Sequence, residues 1–413
     1  MYGLLGKTLS HSFSPYIHEK LNPDITYNLY ETETVGDFLR ALPFKGLNVT
    51  IPYKQTVIPY LDNVEEAAEN IGSVNTIVNY NGQLTGFNTD YTALRSIIKK
   101  RYPKSYNSPI TILGNGATMR SVKFALRHEN YHNITVCARN PKAGESLLED
   151  IPEDTEIIIN TTPVGMYPDV KDSVNVDFSG LKRIRLIHDL IYNPFQTLLM
   201  LQGKAHGART MNGLELLVTQ AYHSQKHFGL SPRDNLSEIM TAFRKEFMNI
   251  VFIGLPFSGK SHYGRELAKT YDKVFVDTDT LIEERHAMST QNIFTYKGED
   301  YFRSVEKDIV MEKAKEFGQI LAPGGGVVLN EDAMMALKQN AFIIYLDMDD
   351  ALLESSDLRG RPLIKSKNDW VRLKKERQSL YRTYADTVIR KDTMDESVII
   401  SRIEEALNAY FSD

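Results

Sequence analysis

The chain is poor in several features that would mark particular classes of protein. Its 413 residues include one cysteine, Cys137, so no internal disulfide can form and no cysteine-built zinc site is expected. No apolar run reaches about 18 residues, and the opening MYGLLGKTLSHSFSP lacks a basic segment followed by a long apolar one. From these two absences we expect no membrane-spanning segment and no secretory signal. Lysine and arginine form no dense block and the formal net charge is -5, so nucleic acid is not expected as a partner. We therefore predict a protein of the reducing cytoplasm, with Cys137 as a small apolar core residue.

The length and the pattern of apolar residues predict several α/β domains. At about 100–200 residues per domain, the chain has room for two to four. Strand-like runs such as GLNVTIP, PITILGNG and NITVCARN alternate with amphipathic helical stretches. This alternation predicts parallel sheets covered by helices on both faces. A helix gives way to a new strand near residues 246–248, where we place the main boundary.

A first glycine-rich turn, in LGNGATMR, follows the strand PITIL and precedes a helix. Gly114 and Gly116 stand where a dinucleotide-binding turn needs glycines, because the backbone must approach a pyrophosphate at a helix N-terminus. The next strand ends in Arg139, with Lys142 close by, and not in the acidic residue that would bind the ribose of NAD. These cations suit the 2′-phosphate of NADP.

A second glycine-rich turn, GLPFSGKS, follows the apolar run FMNIVFI and matches the phosphate-loop pattern G-x-x-x-x-G-K-[ST]. The pattern predicts that Lys260 reaches the β- and γ-phosphates of ATP and that the Ser261 hydroxyl binds Mg²⁺. Downstream, Asp277 and Asp279 lie two apart at a strand end, and alternation puts both carboxylates on one side. One can serve the metal and the other can accept a proton from a substrate hydroxyl. No Asn-Lys-x-Asp element is present, which disfavours a guanine-selective switch.

Short polar side chains cluster in the first hundred residues, at turns and strand ends. Together they suit a small polyhydroxylated substrate, and they are Ser12, Ser14, Asn48, Thr50, Lys54, Asn75 and Asp90.

These motifs, in order, resemble those of shikimate dehydrogenases over nearly all of residues 1–246: GKTLSHSFSP, GLNVTIPYK, SVNTIV, GFNTD, the glycine turn, NTTPVGM, DLIYNP and NGLELLVTQA. The resemblance implies reversible reduction of 3-dehydroshikimate to shikimate by NADPH, with Lys54 and Asp90 as the catalytic pair. Ala117 stands where the family usually has a further glycine of the cofactor turn. The resemblance implies that the substrate is held by Ser12, Ser14, Asn48, Thr50, Asn75 and Gln220.

Residues 248–413 resemble shikimate kinases through GKS, DTD, FRSVE, GGG, RPL and ERQSLY followed by AD. The resemblance implies that ATP, with Mg²⁺, phosphorylates the 3-hydroxyl of shikimate. Asp279 would bind that hydroxyl, Asp277 would act on the metal shell, and Arg361 would arrive on a lid around residues 352–367. Phe257 fills a loop position that is usually glycine in this family. Shikimate would be held by Arg303, Gly325, Gly326 and Arg377, with Glu306 fixing the arginines; the nucleotide would be held by Gly254, Ser258, Gly259, Lys260, Ser261 and Arg390.

The two resemblances together predict three α/β modules. Residues 1–100, completed by 212–246, would bind the substrate of the first reaction; residues 101–211 would form a Rossmann NADP domain; residues 248–413 would form a phosphate-loop kinase domain with a parallel sheet. One alternative is that only one half is catalytic and the other is a ligand-binding regulatory module. Another is that the first half prefers quinate or NAD. The oligomeric state stays open.

Overall fold

A computed structural model of the chain describes residues 1–9, 12–41, 43–103, 105–355 and 366–412. The chain divides into two compact units, Met1–Met240 and Thr241–Asp413. None of the helices in these ranges is long and apolar enough to cross a membrane.

The first unit contains a six-stranded mixed sheet in the order β2-β1-β3-β5-β6-β4. The predicted parallel arrangement is wrong for β5, which pairs with both of its neighbours, β3 and β6, in antiparallel fashion. The two-residue turn between β5 and β6, Asn81 and Gly82, has φ of 53° and 97°, the left-handed pair that an Asn-Gly hairpin adopts. The strands are β1 (Tyr2–Gly6), β2 (Tyr27–Glu31), β3 (Gly46–Val49), β4 (Asn63–Val64), β5 (Thr76–Tyr80) and β6 (Gln83–Phe87).

A second sheet of the same unit has the order β12-β11-β10-β7-β8-β9, and its strands pair in parallel, as a Rossmann domain requires. Cys137 is fully buried in the core of this sheet, as the sequence predicts. The strands are β7 (Ile110–Leu113), β8 (Ile134–Ala138), β9 (Ser146–Leu147), β10 (Ile157–Asn160), β11 (Leu186–Asp189) and β12 (Arg209–Met211).

The helices of the first unit cover both sheets, and α7 returns the chain to the first sheet. It packs against α1 and α4, and the ring of Phe228, just after α7, lies 2.2 Å from where a side chain at Gly46 would begin. Only glycine fits at that point of β3. The helices are α1 (Ser14–Leu21), α2 (Val35–Ala41), α3 (Glu66–Ile71), α4 (Thr89–Arg101), α5 (Ala117–His128), α6 (Leu198–Ala205), α7 (Leu214–His227) and α8 (Leu236–Phe247), which runs across the division between the units.

The second unit is a five-stranded parallel sheet in the order β14-β15-β13-β16-β17. Its central strands β13 and β16 are almost wholly apolar and buried, as expected of a sheet covered on both faces. The strands are β13 (Asn249–Ile253), β14 (Val274–Asp277), β15 (Gln319–Ala322), β16 (Ala341–Met348) and β17 (Thr387–Lys391). The helices are α9 (Lys260–Tyr271), α10 (Thr278–His286), α11 (Thr290–Lys297), α12 (Glu299–Lys313), α13 (Glu331–Asn340), α14 (Lys367–Tyr384) and α15 (Glu396–Ser412); the short 3-10 helices of the chain are Ile58–Tyr60, Val327–Leu329 and Asp350–Ser355.

Candidate active sites

Lys54 and Asp90 form an ion pair beside the first sheet. The Lys54 Nζ lies 2.6 Å from Asp90 Oδ2, and the two side chains are only 16% and 11% exposed. Asp90 lies in the first turn of α4, where the helix dipole stabilises a carboxylate. Asn88 fixes this turn, because its Oδ1 accepts from the Tyr91 N–H at 3.0 Å. The structure thus joins two groups that are 36 residues apart in the chain.

Asn48 and Asn75 meet in a buried polar network beneath this pair. Asn48 Oδ1 accepts from the Tyr27 hydroxyl at 2.8 Å, and its Nδ2 donates to Ser224 Oγ at 2.7 Å. Asn75 Oδ1 accepts from the backbone N–H of Thr89 at 2.7 Å. Each amide is therefore oriented by groups behind it. Ser224 and Tyr27 were not predicted as site residues, because nothing in the sequence marks them as partners of Asn48.

The predicted serines lie at the start of α1. Ser12 Oγ donates to Ser14 Oγ at 3.1 Å and accepts from the Ser14 N–H at 3.2 Å. Ser12 also hydrogen-bonds Tyr192, and burial raises the pKa of that phenol while the serine contact opposes the shift. Tyr192 belongs to the DLIYNP motif but was not predicted as a site residue.

Two other predicted substrate residues lie just after β3 and in the middle of α7. Thr50 follows β3 and its N–H donates to Leu5 O at 3.0 Å. Gln220 lies on α7, where its Nε2 donates to Leu217 O at 3.0 Å.

The cofactor turn has the shape a pyrophosphate needs. Gly114 has φ of 96°, and a Cβ there would lie 2.8 Å from the Thr162 side chain. A Cβ at Gly116 would meet nothing within 4 Å, so the backbone faces open space at the start of α5, which begins at Ala117. This cradle fits a dinucleotide phosphate bound at the helix N-terminus.

The loop after β8 carries the predicted cations, Arg139 and Lys142, both exposed. It also carries a carboxylate that was missed from the sequence. Glu145 Oε2 accepts from Asn115 Nδ2 of the glycine turn at 2.9 Å and from the Lys142 N–H at 2.8 Å. Partial burial acts to raise the pKa of Glu145, but these hydrogen bonds outweigh it and hold the pKa below its usual value. A negative charge therefore stands beside the predicted 2′-phosphate site.

The phosphate loop joins β13 to α9 through three residues with left-handed backbone. Gly254, Phe257 and Gly259 have φ of 150°, 71° and 96°. Lys260 Nζ donates to Gly254 O at 2.9 Å and to Leu255 O at 3.1 Å, so its ammonium lies over the loop. Within the described chain, the buried Ser258 Oγ has no hydrogen-bond partner. The unpaired Ser258 hydroxyl and the Lys260 ammonium both lie at a glycine-rich helix start, and this arrangement fits a nucleotide phosphate.

The predicted metal ligands are paired at the mouth of this loop. Ser261 Oγ donates to Asp277 Oδ2 at 2.6 Å. Asp277 caps α10, because its Oδ1 accepts from the Asp279 N–H at 3.1 Å. A hydroxyl and a carboxylate so placed fit the hard oxygen ligands that Mg²⁺ takes alongside nucleotide phosphates.

The arginine cluster surrounds the Gly324–Gly326 turn. Arg303 donates to the buried Glu306 at 2.6 Å and covers Gly326, where a Cβ would lie 2.0 Å from the guanidinium. Burial raises the pKa of Glu306 and Arg303 opposes that shift. Arg377, 5% exposed, donates to Gly325 O at 3.1 Å, and its Nε has no partner among the described residues.

Asp279, in the first turn of α10, lies beside this glycine turn. A Cβ at Gly324 would fall 2.9 Å from Asp279 Oδ1 and 2.3 Å from Glu306 Oε1, so only glycine lets these carboxylates approach. The turn therefore brings the predicted base beside the predicted carboxylate-binding arginines. The lid arginine, Arg361, and most of the predicted lid lie outside the described residues.

Family comparisons assign both halves of the chain. Residues 4–77 match the model of the shikimate dehydrogenase substrate-binding domain, and residues 256–408 match that of shikimate kinase. The shikimate dehydrogenase (NADP(+)) of Methanococcus maripaludis is 34% identical over 247 residues, which are 53% of this chain and 88% of that protein.

Solved structures agree for the first half. A chorismate mutase/shikimate 5-dehydrogenase fusion protein from Clostridium acetobutylicum is 34% identical with a TM-score of 0.53, covering 59% of this chain and 96% of that one. The Thermus thermophilus shikimate 5-dehydrogenase in complex with NADP(H) and shikimate is 27% identical with a TM-score of 0.51, covering 58% and 96%. The chain therefore belongs, through its N-terminal half, to the shikimate dehydrogenase family, and residues 256–408 of its C-terminal half match the shikimate kinase domain.

Proposed function

We propose that this chain is a bifunctional enzyme that catalyses two consecutive reactions. The first is NADPH-dependent reduction of 3-dehydroshikimate to shikimate, and the second is ATP-dependent phosphorylation of the shikimate 3-hydroxyl. The observation that carries the proposal is that each unit holds a pair of its predicted site residues, a catalytic pair in the first and a metal-binding pair in the second, at hydrogen-bond distance. Lys54 and Asp90 lie 2.6 Å apart in the first unit, as do Ser261 and Asp277 in the second.

In the first reaction, NADPH, when bound, would supply a hydride to the carbonyl carbon. The Lys54 ammonium hydrogen-bonds the carbonyl oxygen, stabilises its growing negative charge and donates the proton that completes the alcohol. Asp90 holds the ammonium in place and accepts from the neighbouring substrate hydroxyl. Because both groups are largely shielded from water, the charge stabilisation is strong. Such a positioned acid is worth about 10²–10⁴ in rate.

In the second reaction, ATP would supply the phosphoryl group, and Ser261 and Asp277 would hold Mg²⁺. Asp279 accepts the hydrogen of the attacking 3-hydroxyl and orients its oxygen. Arg303 and Arg377 bind the shikimate carboxylate, for which guanidinium groups are well matched. We assign charge stabilisation at the transferring phosphoryl group to Lys260 and to Arg361.

The alternative that one half is only a regulatory module is not favoured. A sensor of shikimate or of a nucleotide would need the binding residues but not Lys54, Asp90 or Asp279. Both catalytic sets are present in this chain.

The test uses the full chain with 3-dehydroshikimate, NADPH, ATP and Mg²⁺, following NADPH loss by absorbance and shikimate 3-phosphate by mass. Lys54→Ala should abolish NADPH loss while added shikimate is still phosphorylated. Lys260→Ala should let shikimate accumulate without its phosphate. If the wild-type chain consumes NADPH and never forms the phosphate, the kinase half of the proposal is wrong.

A further inference from the structure

Strand β17 ends in two cations, Arg390 and Lys391, that face opposite sides of the sheet because side chains alternate along a strand. Arg390 is exposed and pairs with Asp349 at 3.0 Å. The Lys391 Nζ lies 5.6 Å from the centre of the Tyr263 ring and 3.5 Å from where a side chain at Gly259 would begin. Lys391 is therefore the cation of this strand that lies on the phosphate loop.

The surroundings of Lys391 do not balance its charge. It is half-buried, and among the described residues no carboxylate lies within 4.0 Å of its ammonium. The nearby Glu396 attracts it only from farther away, and its Oε1 lies 3.0 Å from His262 Nε2. Burial accordingly lowers the pKa of Lys391 below its usual value. A partly desolvated ammonium of this kind gains from an anion brought beside it.

We infer that Lys391 binds the phosphate chain of the nucleotide at the phosphate loop. Gly259 opens α9, so an anion held by the loop amides at this helix start lies next to the Lys391 ammonium. The other candidate anion, the shikimate carboxylate, is assigned to Arg303 and Arg377, which lie at Gly326 and Gly325 and not at Gly259. The inference rests on the proposed kinase reaction and adds to it a residue that no motif contains.

The experiment measures nucleotide binding rather than turnover. Equilibrium dialysis of the full chain with labelled ATP, and separately with labelled adenosine, compares three variants with the wild type. Lys391→Met should weaken ATP binding about tenfold, the loss of one charge-assisted contact, and leave adenosine unchanged. Lys391→Arg, which keeps the charge, should stay within about threefold. Lys269→Met removes an exposed lysine of α9 and should change neither.

Equal ATP affinity in Lys391→Met and wild type would overturn the inference. It would also be overturned if Lys391→Met weakened ATP and adenosine alike and lowered the thermal midpoint, since the lysine would then only support Tyr263. A wild-type chain that binds ATP but never phosphorylates shikimate would refute the proposed function, while a selective loss of ATP binding in Lys391→Met would still support Lys391 as a phosphate ligand.

Discussion

Phe257 offers a test of how the phosphate loop is built, because it holds a backbone conformation that glycine usually supplies. Its φ is 71°, and its ring packs against the core of the second unit. Phe257→Ala and Phe257→Gly remove the same ring contacts. The two variants differ only in the Cβ atom, so comparing them isolates the cost of the left-handed backbone.

The magnitude follows from two opposing terms. A side chain in the left-handed region costs about 1–2 kcal/mol, which alanine bears and glycine does not. Glycine's greater freedom in the unfolded chain offsets about 0.4–1 kcal/mol of that advantage. Phe257→Gly should therefore be more stable than Phe257→Ala by about 0.5–1 kcal/mol, although both lose the packing of the ring.

Trp370 makes the measurement specific to the second unit. It is the one tryptophan of the chain, it is fully buried, and its Nε1–H donates to Pro256 O at 3.2 Å. Urea unfolding followed by its fluorescence reports this unit alone. Ala336→Gly, inside α13, is the control. In this helix glycine should lower the free energy of unfolding by about 1 kcal/mol relative to alanine, the opposite of its effect at position 257. The reasoning is refuted if Phe257→Ala proves as stable as Phe257→Gly.

Three further predictions concern the first unit. Asp90→Asn should lower the rate of NADPH oxidation about 100-fold, since the lysine ammonium loses the group that orients it, while phosphorylation of added shikimate stays unchanged; an equal loss of both activities would contradict this. Glu145→Gln should tighten NADP⁺ more than NAD⁺ in a binding titration, because it removes a negative charge beside the 2′-phosphate site; an equal effect on both cofactors would contradict it. Burial lowers the pKa of His18 to about 3 and of His188 to about 4, and burial raises that of Asp189 to about 6. The neutral imidazoles stabilise the fold above pH 6.5, and this stabilisation is lost as the pH falls. Protonation of the Asp189 carboxyl offsets part of the loss. These three groups together lower the free energy of unfolding by about 3 kcal/mol between pH 6.5 and pH 4, so calorimetry should show a thermal midpoint that falls over this range, and a flat profile would contradict it.

The two glycine-rich turns could be located from the sequence because strand, turn and helix are contiguous in each. The Lys54–Asp90 pair came only from the family resemblance, since its members are 36 residues apart. Neither route could place Lys391. Alternation along β17 predicts that Arg390 and Lys391 face opposite sides of the sheet. Which of these sides faces the phosphate loop depends on how α9 packs.

Other contacts also lay beyond sequence reasoning. Asn48 reaches Ser224 across 176 residues, so neither local spacing nor periodicity could pair them. The antiparallel β5–β6 hairpin is a different case. Asn81 and Gly82 are a strong turn signal in the sequence, and the expectation of parallel sheets gave it too little weight.

The return of α7 to the first sheet has a consequence for synthesis on the ribosome. The chain emerges N-terminus first, at about 5–20 residues per second, so Asn48 is made about 10–35 s before the Ser224 hydroxyl that it contacts. Until then the polar groups beneath the first active site lack part of their network. The second unit draws all its strands from Asn249 onward, and its own late contact joins Trp370 to Pro256 across 114 residues. We therefore expect nascent chains that end before α7 to engage chaperones through the first sheet, and the kinase half to fold only once α15, which packs against its last strand, is released.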